Sequence, residues 1–455
     1  MDSAFREFME RLKKCGYFLG IFEEYIFSML SNRRNLDYAW LILAVCLFMM
    51  MCTQGTRTAM GVFVTPMEED LQWSRADISR VLALGIFIGA MSFVVMGYLQ
   101  DKYGSKKVIC LSLVLLGASI MLTSRVNSIP SFALIFGVLS AFASSGVSNV
   151  TIHAFLARWF YKKRSLAISI ASAGGSVGPL FFAPFTAYLI QTLDWRAAFL
   201  VTGGIILLIV FPLTVMFLRS NPHKVEETSG FNQDTQTDKV ESEPVGPLFT
   251  TTWTQALKTA PIWQLSTAYW VCGVTVNIIS IHFVPYAEDQ GVQKIVAASI
   301  FGVMMGLNLI GVLSAGILSQ IFTQRLVLGS AYAMRGLAYA CLLLIGGIEG
   351  LWLFAVIGGL SWIATASTTS AMTADIYGVK NLGTINGITN MFHQIGGAIS
   401  VFITGEIYGA TGSYMIPFTF AALTLIPATI SAFSVKEKLY SYRYNPVDNP
   451  IYATR

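Results

Sequence analysis

The sequence predicts an all-α integral membrane protein with twelve transmembrane helices in two six-helix, pseudo-symmetric halves. Three observations predict it. Only 12% of the 455 residues are charged, against 54% apolar, whereas ordinary soluble domains carry about 25% charged residues. Apolar runs long enough to cross a bilayer, for which about 20 residues suffice, recur twelve times. The twelve divide six and six around the one long polar stretch.

Residues 1–37 form a basic cytoplasmic N-terminal segment with Arg6, Arg11, Lys13, Lys14, Arg33 and Arg34. Phe5, Phe8, Met9 and Leu12 recur there at helical spacing, which fits an interfacial helix as well as it fits an unstructured tail. The apolar runs fall at about 38–64, 76–99, 107–124, 131–157, 165–190 and 197–217, then 262–286, 295–319, 326–345, 351–374, 384–408 and 414–434. Residues 38–218 are thus one six-helix half and 261–434 the other. Between them, 219–260 is rich in Asn, Gln, Thr, Glu and Gly with no apolar period, the composition of a flexible cytoplasmic linker. Residues 435–455 form a second cytoplasmic tail.

Segments on the N-terminal side of the membrane hold 23 Lys and Arg, and the opposite loops hold four: Arg75, Arg125, Arg196 and Lys294. The positive-inside rule then places both termini in the cytoplasm, in a multi-pass protein of the plasma (inner) membrane. The six cysteines are scattered without CxxC spacing, so buried thiols are expected, with no metal and no cofactor. There is no GxSxG, HExxH or Walker loop, which argues against an enzyme and against ATP-driven transport. Nothing points to nucleic acid.

The halves echo each other. Gly97-Tyr98-Leu99-Gln100-Asp101 after the second run returns as Gly316-Ile317-Leu318-Ser319-Gln320 after the eighth. The stretch beginning Ala173-Gly174-Gly175-Ser176 is echoed from Ile395-Gly396-Gly397-Ala398. Parallel six-helix repeats about an axis along the membrane normal can build a central site with alternating access.

Arg57 is the residue that most needs explaining. A charge at the centre of the hydrocarbon costs about 2.5–3.5 kcal/mol. Arg57 lies 17 residues past Trp40, or about 26 Å at 1.5 Å per residue, in the outer half of its run. It could snorkel to the outer headgroups. It could instead face a cavity, which suits its small neighbours Thr56, Thr58 and Gly61, and grip a carboxylate with its planar fork.

Arg335, mid-run in the ninth helix, suits a structural pairing with backbone carbonyls or a neighbouring helix slightly better than a substrate contact. In the eleventh run Asn386, Asn390, His393 and Gln394 share one face. That stripe could bind substrate or simply join helices. His393, which titrates near neutral pH when unperturbed, is the first proton-coupling candidate. Asn149 lies on a similar stripe of the fourth run with Ser145 and His153. Asn277 and His282 on the seventh run are further candidates, for substrate and for protons respectively. Asp375, at the cytoplasmic end of the tenth run, suits a gate. Gly174, Gly178 and Pro179 would serve as a hinge or as a close helix contact.

Gly97 to Asp101, continued by Lys102, Gly104, Lys106 and Lys107, resembles the loop signature G-x-L-x-D-R-x-G-R-[RK] of the major facilitator superfamily. The resemblance spans nearly the whole chain. It implies a gating role for Gly97, Asp101, Lys102 and Gly104, in which Asp101 steadies the state closed to the cytoplasm. Gln320 replaces the acid in the second copy, so only the first half should carry that latch.

Trp159 to Gly174 with Gly178 is similar to the monocarboxylate transporter signature Y-F-x-K-R-R-x-L-A-x-G-x-A-x-A-G-x-x-x-G, departing at Trp159, Lys163 and Ser169. Bacterial facilitators such as oxalate–formate antiporters share part of it. In the same subfamily a helix 1 lysine precedes a Phe-Phe pair, a register that Arg57 and Val62-Phe63 match. The helix 8 Asp and Arg of that subfamily fall on Asn308 and Val312, so its ion pair is missing here. The resemblance implies secondary transport of a small organic anion, a monocarboxylate, with protons and the lipid bilayer as the other partners. The alternatives are a proton-driven exporter of an apolar compound and a non-transporting membrane receptor.

Overall fold

The computed structural model describes residues 38–73, 75–160, 163–219 and 245–447. The helix-or-tail expectation for residues 1–37, the linker over 220–244 and the tail beyond 447 lie outside them. Met1–Ile42 is one compact unit, whose described residues are the first turn of a helix. Leu43–Arg455 is the second and holds the rest of that helix and every other described element.

The first half runs through α1 (Tyr38–Thr58, continued by Met60–Leu71), α2 (Arg75–Tyr103), α3 (Ser105–Thr123), α4 (Ile129–Trp159), α5 (Arg164–Thr192) and α6 (Trp195–Phe217). The second runs through α7 (Ala260–Asp289), α8 (Lys294–Ile321), α9 (Gln324–Leu344), α10 (Gly347–Tyr377), α11 (Leu382–Thr411) and α12 (Met415–Ser434). Eleven of these are long and apolar enough to cross a membrane. The twelfth, α11, is 30 residues long, and its polar stripe is what lowers its hydropathy. Large apolar side chains such as Leu134, Leu208, Phe402 and Leu344 face outward, as lipid-facing positions must when every backbone group is already satisfied inside its helix.

Three spans that read as continuous are broken near their middles. α1 turns at Ala59, just after Arg57. In α4, a π-helical stretch Ala133–Ser140 is followed by a turn at Gly146 and a restart at Asn149, with Ser148 and Thr151 forming a capping box. α10 breaks between Ser361 and Ala364. Broken helices are where transporters expose backbone and aim side chains at a central site.

The linker's last part is held, not free. Val245 pairs with Val447, the Thr250 amide donates to the Tyr377 carbonyl, and Asn381 Nδ2 donates to the Thr250 carbonyl. Residues 245–259 are thereby fastened to the end of α10, an order that polar composition alone does not reveal.

Glycines set the tightest contacts. A Cβ on Gly174 would press on the Leu47 carbonyl and one on Gly178 on the Met51 carbonyl, so α1 and α5 touch backbone to backbone. Both glycines are therefore packing elements. Gly178→Ala is expected to lower stability by about 1–3 kcal/mol, the usual cost of overpacking. Gly175→Ala, whose nearest neighbours lie at 3.9 Å, should leave it unchanged. Thermal unfolding of the purified protein in one detergent compares the two.

Candidate functional site

The halves are locked together on the side that carries the linker. Asp101 accepts from Arg158 Nη2 at 3.0 Å, from the Gly383 and Thr384 amides at 3.1 and 2.7 Å, and from Thr384 Oγ1 at 2.8 Å. Those amides belong to the first turn of α11, where free N–H groups and the helix dipole favour an anion. Gly97 allows this approach, because a Cβ there would run into the Gly383 carbonyl.

A second lock lies beside it. Asp375 of α10 pairs with Arg164 of α5 at 2.5 Å and accepts from Gln324 Nε2 at 3.0 Å, with Arg443 Nε at 3.9 Å. Gln324 also donates to Ser165 Oγ at 3.0 Å. The second half's acid on this face is Asp375 of α10, while the loop after α8, where Gln320 stands, contributes no acid to the latch. Lys102 is a correction. It is exposed and lies over the rings of Tyr98 and Tyr103, away from the latch. Gly104, at φ 92° and ψ 145°, joins α2 to α3 in a positive-φ, extended backbone that glycine accommodates, not in the left-handed turn expected.

Above the latch, between the halves, lies a cavity of about 220 Å³. The first half contributes Gln54 and Arg57 of α1, Phe93 of α2, Ser148 and Asn149 at the restart of α4, and Ser172 and Gly175 of α5. The second contributes Tyr269, Cys272 and Val276 of α7, the α10 break from Trp362 to Ala366, and Asn390, His393 and Gln394 of α11. Most of these lie 8–16 residues from the latch ends of their helices, so the cavity sits about 12–24 Å deep at 1.5 Å per residue.

Arg57 is exposed into this space, and among the described residues no acid pairs with it. It occupies the last turn of the Tyr38–Thr58 helix, where the dipole favours a cation by about 0.3–1 kcal/mol. That is too little to replace a counter-ion. Asn149 and Asn390 also line the cavity, and Asn149 Oδ1 is buried with no hydrogen-bond partner. His393 packs against Tyr269 with ring centroids 4.6 Å apart and the planes inclined at 41°, and its Nδ1 lies 3.1 Å from Gln394 Oε1.

Three other sequence candidates are elsewhere. Asn277 donates to the Gly273 carbonyl at 2.9 Å and packs against Gly397. Asn386 is buried and donates to Ser370 Oγ at 2.6 Å. His282 lies beside Tyr414 at 5.4 Å, at the other end of α7. The helical spacing that suggested them fixes a face of a helix but not what that face meets.

Arg335 is fully buried and holds the α10 break. Its Nη2 donates to the Ser361 and Trp362 carbonyls at 2.7 and 2.6 Å, and its Nη1 reaches Cys272 Sγ and Thr275 Oγ1 at 3.2 and 3.3 Å. Asn308 completes the support: its Oδ1 accepts from the Ile363 amide, and its Nδ2 donates to Ser176 Oγ across the halves, both at 2.9 Å. A neutral amide does both jobs where a carboxylate could only accept, which accounts for Asn at this position. Phe93, Tyr269, Cys272 and Trp362 are not singled out by the sequence, while Gln54 stands beside Arg57 as a polar exception in its run. The first four carry no local signal; only the crossing of helices brings them together.

Twelve helices in two halves, a central polar cavity and a charged lock on one side define a membrane transporter of small molecules, not an enzyme. The sequence profile of the Major Facilitator Superfamily matches residues 43–401, and the chain belongs to that family. It is 27% identical over 387 residues to the uncharacterised MFS-type transporter YcxA of Bacillus subtilis, covering 83% of this chain and 90% of that one. It is 24% identical over 428 residues to human monocarboxylate transporter 12, covering 86% and 79%. Its fold is similar to that of FucP, a facilitator crystallised in the outward conformation, with a TM-score of 0.64, 14% identity, and coverage of 87% and 99%.

Proposed function

We infer that this chain is a secondary carrier of a small organic anion, a monocarboxylate, moved with a proton by alternating access. The observation that supports this most is Arg57: a guanidinium without an acidic partner among the described residues, exposed to a cavity between the halves. A charge so placed is complete only when an anion joins it. Asn149 and Asn390 would supply further hydrogen bonds. His393, on the opposite wall, would take the proton.

A cavity of about 220 Å³ is below the 300–1,000 Å³ usual for drug-sized ligands, which suits a small ion. Relatives named monocarboxylate transporters agree with this cargo. We place both termini in the cytoplasm and the chain in the plasma membrane on the 23-to-4 distribution of Lys and Arg.

Uptake of labelled lactate, pyruvate, acetate and succinate into proteoliposomes, with and without an inward proton gradient, tests the proposal. Concentrative uptake of a monocarboxylate that follows the gradient is expected. If none of the four moves or competes, the anion assignment fails; if uptake ignores the gradient, the proton coupling fails.

A further inference from the structure

Arg57 faces two cavities, and the second has no role yet. A chamber of about 260 Å³ lies inside the first half, away from the α7–α12 helices. Its wall is mostly apolar: Leu82 and Ile86 of α2, Leu116 and Ile120 of α3, Phe136 of α4 and Phe199 of α6. Its threonines offer methyls more than hydroxyls. Thr53 and Thr56 Oγ1 already donate to the Met49 and Cys52 carbonyls at 2.9 and 2.8 Å. Ser144 likewise donates to the Ala141 carbonyl at 2.9 Å. Arg57 is the charged group on this wall, and it also lines the central cavity.

Two features make the chamber look built. Gly85 and Gly89 lie on one face of α2 and line it. A Cβ at Gly85 would come no closer than 3.5 Å to its neighbours, and one at Gly89 no closer than 3.8 Å. A methyl at either site would touch α4 without clashing, so backbone contact does not demand glycine there, and larger side chains are what the chamber lacks on this wall. The adjoining wall includes Phe136 and Ser140 from the π-helical stretch of α4, whose Gly137 passes against Gly85, and such widened turns recur at functional sites.

We propose that this chamber receives the apolar tail of the transported anion, whose carboxylate rests on Arg57 where the two cavities meet. The substrate class is then a monocarboxylate bearing a branched aliphatic or aromatic group. A dry cavity of about 150 Å³ holds a benzene ring, so this chamber accepts a phenyl ring or a chain of about six carbons. The proposal rests on the anion-carrier function above and adds which anions are preferred.

Binding of the sodium salts of acetate, butyrate, hexanoate, 3-phenylpropanoate and adipate to the full chain in lipid nanodiscs, by calorimetry, tests it. Affinity should rise about fourfold per methylene, the transfer value for burying a CH₂, up to hexanoate. Phenylpropanoate should match hexanoate. Adipate, whose second carboxylate would enter the apolar chamber, should bind worse than butyrate.

Gly85→Leu and, separately, Gly89→Val fill the chamber and should abolish the dependence on tail length while keeping acetate affinity within twofold, which also shows that the variants fold. Acetate binding with no gain for longer tails, or the same gain in both filled variants, overturns the chamber's role and leaves the carrier function standing. If no carboxylate binds the parent protein, the anion assignment itself falls, and the chamber's role with it. Equal enhancement by hexanoate and by hexanol would show an occupant held without Arg57, such as a lipid chain, and would also overturn the proposal.

Discussion

Arg57→Gln is expected to abolish anion uptake, and Arg57→Lys to retain a measurable fraction of it. The guanidinium is exposed to both cavities and has no acidic partner among the described residues, so its removal leaves no carboxylate stranded inside the protein. The fold should survive. What disappears is a charge-assisted contact worth about 1.5–3 kcal/mol per hydrogen bond, and a bidentate fork makes two. A loss of about 3 kcal/mol is more than a hundredfold in affinity.

Lysine keeps the charge but not the fork, so it should lose roughly tenfold and recover with substrate concentration. The comparison separates a site from a snorkelling residue. An arginine that merely anchors α1 at the headgroups would tolerate Gln with some loss of stability and no change in half-saturation. Uptake kinetics in proteoliposomes, alongside thermal unfolding of each variant, give both readouts. Normal uptake by Arg57→Gln would remove Arg57 from the mechanism.

The fold was legible because the bilayer simplifies the problem. A span needs about 20 apolar residues, so length and hydropathy locate twelve helices, and the repeated Gly97 and Gly316 motifs pair the halves. The breaks were not legible. Gly61 and the Gly358-Gly359 pair stand near two of them, but glycines recur through most of the spans and single out no break, and the α10 break exists because Arg335 and Asn308, on other helices, take up the backbone groups it frees.

The site divides in the same way. Arg57, Asn149, Asn390 and His393 were visible as polar exceptions in apolar runs, and all four line the cavity. Asn277, Asn386 and His282 were equally exceptional and turned out to satisfy neighbours or pack elsewhere. A polar residue in a span must find some partner, and sequence does not say whether that partner is a helix or a ligand. Long-range pairs were hidden altogether. Arg164 lies 211 residues from Asp375, and nothing near either residue marks the other.

Those pairs carry the second large prediction. Asp375→Asn is expected to loosen the latch and stall transport while leaving anion binding intact. Its carboxylate is buried against Arg164, whose side chain is 6% exposed, so the substitution strands a cation in a dry place. Breaking a buried pair from one side costs about 3–5 kcal/mol. Moving a two-state equilibrium from 1:99 to 99:1 takes about 5.5 kcal/mol, so one such change can empty most of the closed population. Asp101→Asn should act in the same direction but less strongly, because Arg158 is 22% exposed and partly hydrated.

Ser169 reports the change. It lies buried against Gly316 of the other half, so a Ser169→Cys thiol should react slowly with a membrane-impermeant maleimide while the halves stay closed. In the Asp375→Asn background the labelling rate should rise at least tenfold. Adding Arg164→Gln should then bring the rate part of the way back, because it removes the stranded cation. Unchanged labelling together with unchanged uptake in Asp375→Asn would show that this ion pair is scaffold and that Asp101 holds the gate alone. Further acceleration on adding Arg164→Gln would show that Arg164 also braces the closed state through other contacts, such as its hydrogen bond to the Ala157 carbonyl.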